Sequence, residues 1–343
     1  MSTVVGWDIG GANLKLSVLN DAVVQTTLQL PCPLWRGLER LEQALGQACQ
    51  HIDSASSSTR HVVTLTGELV DLFPDRTTGV CRILEIVTAR LPGPLSIYAG
   101  PRGLLSAAEA RQHPASVASA NWHGSARLLA LAGAEGVLVD VGSTTSDLIP
   151  VRAGEVCHQG LTDHERLVSG ELVYAGVLRT PVMAMARSVR MGRRQVPLIA
   201  ELFANAADVY RLTGDLGADA DPWPPVDGGA ATTEGSARRL LRMVGLDFAD
   251  AGLDGARALA RQLRGQQLRT LARALGKADG DTGAGLIAAG NGRFLVRQLA
   301  QQVGRPCEDY EQACAIRALD PDMDLANFAP AIAVALLRGG AHG

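Results

Sequence analysis

The stretch Val5-Gly6-Trp7-Asp8-Ile9-Gly10-Gly11-Ala12-Asn13-Leu14-Lys15 ends a buried apolar run on an aspartate, turns through two glycines and starts a second apolar run. The same order of residue types returns at Val137-Leu138-Val139-Asp140-Val141-Gly142-Ser143-Thr144-Thr145-Ser146-Asp147. The displacement is 132 residues (140 − 8), and it holds without a gap through both strands to the turn signals Asn20-Asp21 and Ala153-Gly154. A chance match of Asp-aliphatic-Gly would mean little. Strand, loop, strand and turn in the same order mark a structural duplication, which takes precedence over single motifs.

The tip of such a hairpin offers backbone N–H groups and little side-chain bulk, a combination that wraps phosphate oxygens. An aspartate at the tip suits a hydrated Mg²⁺ that bridges those oxygens. Gly10, Gly11 and Asn13 in the first hairpin, with Gly142, Ser143, Thr144 and Thr145 in the second, are therefore the candidate phosphate or diphosphate contacts. Asp8 and Asp140 are the candidate metal ligands. Lys15 is placed to reach an anion if its side chain faces a cleft, and Asp147 takes the matching place in the second hairpin. Either hairpin alone reads as a tight turn; the pair points to a site.

Outward from these hairpins the chain alternates. Val4–Trp7, Asn13–Leu19 and Ala22–Leu30 read as a strand meander, and Gly37–Ile52 as a helix with Leu38, Leu41, Leu45 and Ala48 on one face. Strands follow at His61–Thr66 and Leu95–Ala99, helices at Val80–Leu91 and Ala115–Ala132, and a strand at Gly136–Asp140. Past the second hairpin, helices are expected around Val196–Leu212, Ser236–Val244 and Leu253–Leu275, with a Gly-, Asp- and Pro-rich loop at Gly214–Gly235. The pattern closes with a strand at Gly285–Ala289, a helix at Arg293–Gln302, a short strand near Pro306 and a helix at Asn327–Leu337. The division expected is a first domain at 1–132 and a second at 133–343, with a helical insertion at about 165–280.

Bulk properties restrict the partners. A net charge of −3 gives no electrostatic reason to expect nucleic acid, and the basic stretch Arg187, Arg190, Arg193 and Arg194 reads as a solvated helix face or loop. Six cysteines without a C-x-x-C pair argue against a zinc site and for reduced thiols, with Cys81 and Cys157 in the core. The longest apolar stretch, Phe328–Leu337, is far short of a membrane span. The N-terminus enters its first strand at once, with no signal-peptide apolar region, so a cytoplasmic location is expected.

The junction Gly285-Leu286-Ile287-Ala288-Ala289-Gly290-Asn291-Gly292-Arg293 ends a strand in small residues and opens a helix, presenting N–H groups to an anion or a nucleotide. With the two hairpins, it makes the chain resemble the actin/hexokinase/Hsp70 superfamily and, within it, the hydantoinase/oxoprolinase-like branch. The resemblance implies an α/β fold class: a duplicated actin-like ATPase (ribonuclease H-like) fold, two domains around a central cleft. The strings GWDIGGANLK, TGELVDLF, SANWHGSA, DVGSTTSDLIP, SGELVYAGVLRTPV, FANAADVY and AAGNGRFL are similar to a narrower group, spanning residues 4 to about 335. That group is the proteins of tetrahydromethanopterin-linked one-carbon metabolism related to the archaeal methanofuran-biosynthesis synthase.

This resemblance implies a transferase. The group joins the phenol oxygen of γ-glutamyltyramine to an aminomethyl-furanmethyl diphosphate and releases pyrophosphate, with Mg²⁺ neutralising the departing charge. The resemblance further implies small-molecule diphosphate and phenolic substrates, with Asp8 and Asp140 on the metal. Glu68 or Glu171 is the candidate base for the phenolic proton, each in a Gly-Glu-Leu string that would set a carboxylate at the start of an element. Asn121, Trp122 and His123, with Gly290, Asn291 and Gly292, are candidates for a nucleotide or substrate pocket. A helix packed on the sheet accounts equally for Asn121, Trp122 and His123. Arg102 is a cleft residue or a loop stabiliser, and Arg179 meets a glutamyl carboxylate or a surface partner. An ATP-dependent kinase or ATPase, a hydantoinase/oxoprolinase-type hydrolase and a non-catalytic nucleotide-binding regulator are the alternatives that the same loops allow.

Overall fold

A computed structural model describes residues 3–52, 59–217, 221–280 and 282–339. Its strands, in chain order, begin with β1 (Thr3–Ile9), β2 (Asn13–Asn20), β3 (Val23–Pro31), β4 (Arg60–Leu65), β5 (Leu95–Tyr98) and β6 (Leu104–Leu105). There follow β7 (Gly136–Val141), β8 (Ser146–Arg152), β9 (Glu155–Val156), β10 (Leu172–Val173), β11 (Ser188–Met191) and β12 (Arg194–Pro197). The last three are β13 (Leu286–Ala289), β14 (Cys307–Asp309) and β15 (Arg317–Ala318).

The chain divides into two compact units, and the first is discontinuous: 1–136, 149–164 and 308–343, against 137–148 and 165–307. This replaces the contiguous division at 132/133. The physical reason is the C-terminal helix Ala329–Gly339, whose residues Ala329 to Leu336 are all buried and which packs on β1, β2 and β4 of the first unit. The apolar stretch that contains it is thus core. Among the described residues, no helix is long and apolar enough to cross a membrane.

In the first unit the sheet runs β15-β3-β2-β1-β4-β5-β6. β1 and β2 are antiparallel with Asp8 opposite Lys15, whereas β4 lies parallel to β1 with Thr64 beside Asp8. Trp7, Ile9, Leu14 and Leu16 bury one face against the helices Glu39–His51 and Arg76–Arg90, which contribute Leu41, Leu45, Ile83 and Leu84. The second sheet runs β10-β8-β7-β13-β14, with β13 parallel to β7 and Ala289 beside Asp140. Its core is separate, built from Val139, Val141, Leu148, Leu259, Leu271 and Leu299, among others. Antiparallel strands on one side of the hairpin's first strand and parallel strands on the other recur in both sheets. That shared order is the duplicated ribonuclease H-like plan.

Several local expectations are corrected. The segment Val196–Leu212 is not one helix: Ser188–Met191 and Arg194–Pro197 form an antiparallel ribbon, and only Ala206–Thr213 is helical. The basic stretch lies along this ribbon, with Arg190, Arg193 and Arg194 exposed, so the inserted segment is not purely helical. The expected helix Ala115–Ala132 is broken by Ser119 at φ 49° into Pro114–Val117 and Asn121–Leu131. The long helix Phe248–Asp279 is interrupted at Gly252. The Gly214–Gly235 loop is irregular where described, 218–220 lying outside the described residues, and the next helix starts at Thr233. Cys32 and Cys314 are the buried thiols; Cys81 and Cys157 are half-buried.

The hairpin turns keep the 132-residue displacement and move the first turn by one residue, from Asn20-Asp21 to Asp21-Ala22. Positive φ falls on Asp21 (47°) and Ala22 (63°), and again on Ala153 (49°) and Gly154 (75°). Two consecutive positive φ values suit the tight hairpin turn whose twist matches the flanking strands.

Close approach sets one glycine on β1. A Cβ on Gly6 would lie 1.9 Å from the Ala331 carbonyl oxygen of the C-terminal helix. Gly6→Ala should push that helix off the sheet and cost about 1–3 kcal/mol, read as a fall in the thermal midpoint. Gly46→Ala, on an exposed helical position with nothing within 4 Å, should leave it unchanged or slightly raised.

Candidate functional site: two anion-binding hairpin loops

The loop tips share a hydrogen-bond plan. Gly10 N–H donates to the Asn13 carbonyl at 2.9 Å, and Gly142 N–H to the Thr145 carbonyl at 2.8 Å. In the first loop the Gly11 and Ala12 carbonyls accept from Leu34 N–H (3.0 Å) and Cys32 N–H (2.8 Å). In the second loop Ser143 and Thr144 stand at the equivalent places. The Ser143 carbonyl accepts from Leu178 and Arg179 (3.0 and 2.9 Å), and that of Thr144 from Gly176 (2.9 Å).

A trans peptide sets its N–H opposite its C=O. Tying the carbonyls of Gly11, Ala12, Ser143 and Thr144 into the fold therefore turns the N–H groups of the same peptides, those of Ala12, Asn13, Thr144 and Thr145, the other way. Among the described residues, the amides of Gly11, Ala12, Ser143 and Thr144 donate to no protein acceptor. Ser143 Oγ is buried without a partner as well, as is Asn13 Oδ1. These tip residues are half-buried, so their amide donors stand at two equivalent, solvent-accessible loop tips.

The strand–helix junction closes on the second loop. Gly292 N–H donates to the Val141 carbonyl at 2.8 Å, and the helix Arg293–Val303 starts from there. Gly290 has φ 79°, and a Cβ on it would lie 2.3 Å from Asp140 Oδ1. Asn291, between the two glycines, has a buried Oδ1 without a hydrogen-bond partner. Gly290, Asn291 and Gly292 thus stand against Asp140 and Val141, inside the second unit.

The two glutamates differ. Both stand at the start of an element, as the Gly-Glu-Leu strings suggested, but of different kinds: Glu68 lies in the single 3₁₀ turn Gly67–Leu69, and Glu171 directly precedes β10. Glu68 is 1% exposed; its Oε1 accepts from Ser119 Oγ at 2.8 Å, while Oε2 is buried without a hydrogen-bond partner. Burial pushes its carboxyl up to about 7, against the opposing pull of the Ser119 hydroxyl. The neighbouring Gly67 packs on Gly10, since a Cβ there would meet the Gly10 carbonyl group at 3.3 Å. Glu171 is fully buried, but its Oε2 accepts from Ser169 Oγ at 2.8 Å and its carbonyl from Leu148 N–H at 2.9 Å. That environment is a scaffold. It holds the edge of the second sheet, together with the buried Arg166, which pairs with Asp147 and reaches the Glu171 carbonyl.

The other candidates fall as follows. Lys15 Nζ donates to the backbone oxygen (2.8 Å) and Oδ1 (2.6 Å) of Asn327, in the turn that leads into the C-terminal helix. Asn121, the first residue of its helix, accepts from the Trp122 amide through its side-chain oxygen at 2.8 Å. Trp122 is 2% exposed and packs edge-on to His123 and His158, which places it behind a pocket wall rather than on it. Arg102 donates to Ser116 Oγ at 3.2 Å, and Arg179 offers its backbone amide to the second loop. Ser119 and Gly176 had no role in the sequence reading. A Cβ on Gly176 would lie 2.4 Å from Ser143 and Thr144 backbone atoms; the glycine inside SGELVYAGVLRTPV was the available signal.

Together, the repeated sheet order and the paired hairpin tips define an actin-like fold. The sequence profile of the hydantoinase/oxoprolinase family matches residues 60–315, and the chain belongs to that family. It is similar to the (4-{4-[2-(γ-L-glutamylamino)ethyl]phenoxymethyl}furan-2-yl)methanamine synthase of Methanocaldococcus jannaschii, 29% identical over 245 residues, 71% of this chain and 72% of that protein. The synthase of the same name from Methanococcus vannielii is 34% identical over 99 residues, 29% of this chain and 41% of that protein. Among solved structures, a ROK family glucokinase from Streptomyces griseus aligns with a TM-score of 0.49 at 13% identity, covering 98% of this chain and 100% of that one. The Acidaminococcus fermentans (R)-2-hydroxyglutaryl-CoA dehydratase component A aligns with a TM-score of 0.47 at 11% identity, covering 99% and 100%.

Two outcomes are expected. Gly176→Ala must displace the second loop and should lower turnover roughly hundredfold while the protein stays folded, measured by initial rates beside circular dichroism. Glu68, raised from 4.5 to about 7 by folding, binds its proton more tightly in the folded state. Its contribution to stability is complete below pH 4.5 and is lost as pH rises through 7. Between those limits Glu68→Gln should gain on the wild type by an amount on the order of 3 kcal/mol in denaturant titrations, and parallel pH curves would refute the assignment.

Proposed function

We propose that this protein is a transferase that joins a phenolic oxygen to the methylene carbon of an aminomethyl-furanmethyl diphosphate, with release of pyrophosphate. The phenol is γ-glutamyltyramine or a close variant, and the pathway is methanofuran or methylofuran biosynthesis for tetrahydromethanopterin-linked one-carbon metabolism. The observation that carries this reading is the kinship with the archaeal synthase, whose named product holds a phenoxymethyl-furan ether. The loop geometry supports it, because outward amides serve a diphosphate leaving group as well as a nucleotide.

The bond bookkeeping is simple. The C–O bond to the diphosphate breaks and its electron pair leaves with pyrophosphate; the phenol oxygen forms the new bond to the same carbon. The furan ring stabilises positive charge on that carbon, so the protein's main tasks are orientation and exclusion of water. The amides of Ser143 and Thr144 with the Ser143 hydroxyl bind phosphoryl oxygens, and the Gly11 and Ala12 amides offer an equivalent grip. Glu68 takes the phenolic proton on Oε2. A carboxylate near 7 is tuned for that work at neutral pH.

Mg²⁺ fits the donors present. Asp8 and Asp140 are hard oxygen donors at the tips of their own hairpins, and a magnesium is commonly held by one or two carboxylates with substrate phosphates completing its shell. When bound, the ion would offset the charge that accumulates on the leaving group.

The test is one incubation of purified protein with Mg²⁺, γ-glutamyltyramine and the furan diphosphate, assayed for pyrophosphate and the ether. Pyrophosphate release that requires both organic substrates is expected. Its absence, with phosphate released from ATP alone, would establish the ATPase or kinase reading instead. Asp8→Asn and Asp140→Asn should each abolish turnover, and Glu68→Gln should lower kcat roughly 10²- to 10⁴-fold and remove the rise of rate through about pH 7.

A further inference from the structure

A second cavity of about 560 Å³ lies within the first unit and uses none of the loop residues. Its polar wall is Tyr98 at the end of β5, His123 and Arg127 on the helix Asn121–Leu131, and His158 after β9. Val156 and Leu337 supply apolar surface, and Glu155 is the one carboxylate among the lining residues.

Arg127 is the informative group. It is half-buried, and its hydrogen-bond partner is a backbone carbonyl, Gly154 O, at 3.3 Å. Among the described residues no carboxylate pairs with it. A guanidinium partly removed from water without a counter-ion is costly, and its planar fork matches a carboxylate or phosphate. Next to it stands a second donor. Tyr98 Oη and His123 Nδ1 are 2.7 Å apart, and burial holds both neutral, pushing the imidazole down to about 4 and the phenol up. A neutral tyrosine and a neutral imidazole carry two polar hydrogens. Their mutual hydrogen bond uses one, so the pair keeps one to donate. The aromatic cluster of Trp122, His123 and His158, with centroids 5.4 to 6.0 Å apart, fixes the rings that present it.

We propose that this cavity is a binding site for a small organic anion, whose carboxylate or phosphate group is clasped by Arg127 and the Tyr98–His123 pair and whose apolar body lies on Val156 and Leu337. Arg102 at the rim adds a second positive charge. The site is distinct from the phosphate loops, and the inference holds whether or not the transferase reading does.

Three probes with one ring separate the alternatives: benzoate, phenyl phosphate and neutral benzyl alcohol. The full-length protein is titrated with each while the His123 and His158 ring signals are followed by NMR, assigned with His123→Gln and His158→Gln. Saturable shifts with benzoate or phenyl phosphate are expected, and which one binds more tightly tells carboxylate from phosphate. Arg127→Met should weaken binding roughly 10- to 100-fold with the thermal midpoint retained, and Arg127→Lys, which keeps the charge but loses the fork, should weaken it less. No saturable shift with either anion would overturn the proposal. So would equal binding of benzyl alcohol, or anion binding indifferent to both Arg127 variants.

Discussion

The carbonyls at the two loop tips are bound from behind, and the candidate site depends on that constraint. Cys32 and Leu34 hold the first tip, and Gly176, Leu178 and Arg179 hold the second. Each bond fixes the plane of a peptide and therefore the direction of its N–H. An anion arriving at such a tip meets donors already aimed, so little reorganisation is needed when charge develops on the bound group. The glycine at 176 follows from the same requirement, because backbone can approach backbone this closely only where no Cβ intervenes.

The duplication is unequal in instructive ways. The closing bond and the positive-φ turn are shared between the halves, because both are properties of the hairpin itself. The backing segments are not shared. In the first half the chain returns directly from β3; in the second, the supporting residues come after a detour through the helix Asp163–Ser169 and β10. The second half also gains the Gly290–Gly292 junction against its aspartate strand, whereas the first half gains Glu68 through the packing of Gly67 on Gly10. The two hairpins therefore share their own geometry and differ in what the rest of each half packs against them.

The parts of this that were legible in the sequence are those encoded locally. Asp8 and Asp140, the small residues after them and the 132-residue displacement are adjacent in the chain, so alternation and glycine placement revealed them. The junction at Gly290 was visible for the same reason. The division into units was not, because it turns on where the helix Ala329–Gly339 packs, a contact that spans more than 300 residues of sequence. The ribbon at Ser188–Pro197 went unrecognised, its basic stretch reading as a helix face or loop, because a short, polar two-stranded ribbon has no apolar periodicity to announce it. Glu68 and Glu171 were indistinguishable as Gly-Glu-Leu strings. What separates them is the partner set each meets in space, and Ser119, which sets that difference for Glu68, lies 51 residues away.

Ser119 also shows why the choice between the glutamates is physical rather than formal. A non-glycine residue at positive φ is strained, and here the strain breaks a helix. The conformation carries the hydroxyl that donates to Glu68 Oε1 and leaves Oε2 the oxygen without a protein hydrogen bond. A carboxyl buried this deeply would favour its neutral form still more strongly if the serine were absent, and would then be too weakly ionised to accept a proton at neutral pH. With two or three donors, as at an ordinary buried ion-pair site, it would be fully ionised and a poor base. Burial, opposed by the Ser119 hydroxyl, a backbone hydrogen bond and the charge of Arg76, places it between these limits, near 7. The backbone conformation at Ser119 thus sets the hydrogen bonding of a buried carboxyl beside the first loop.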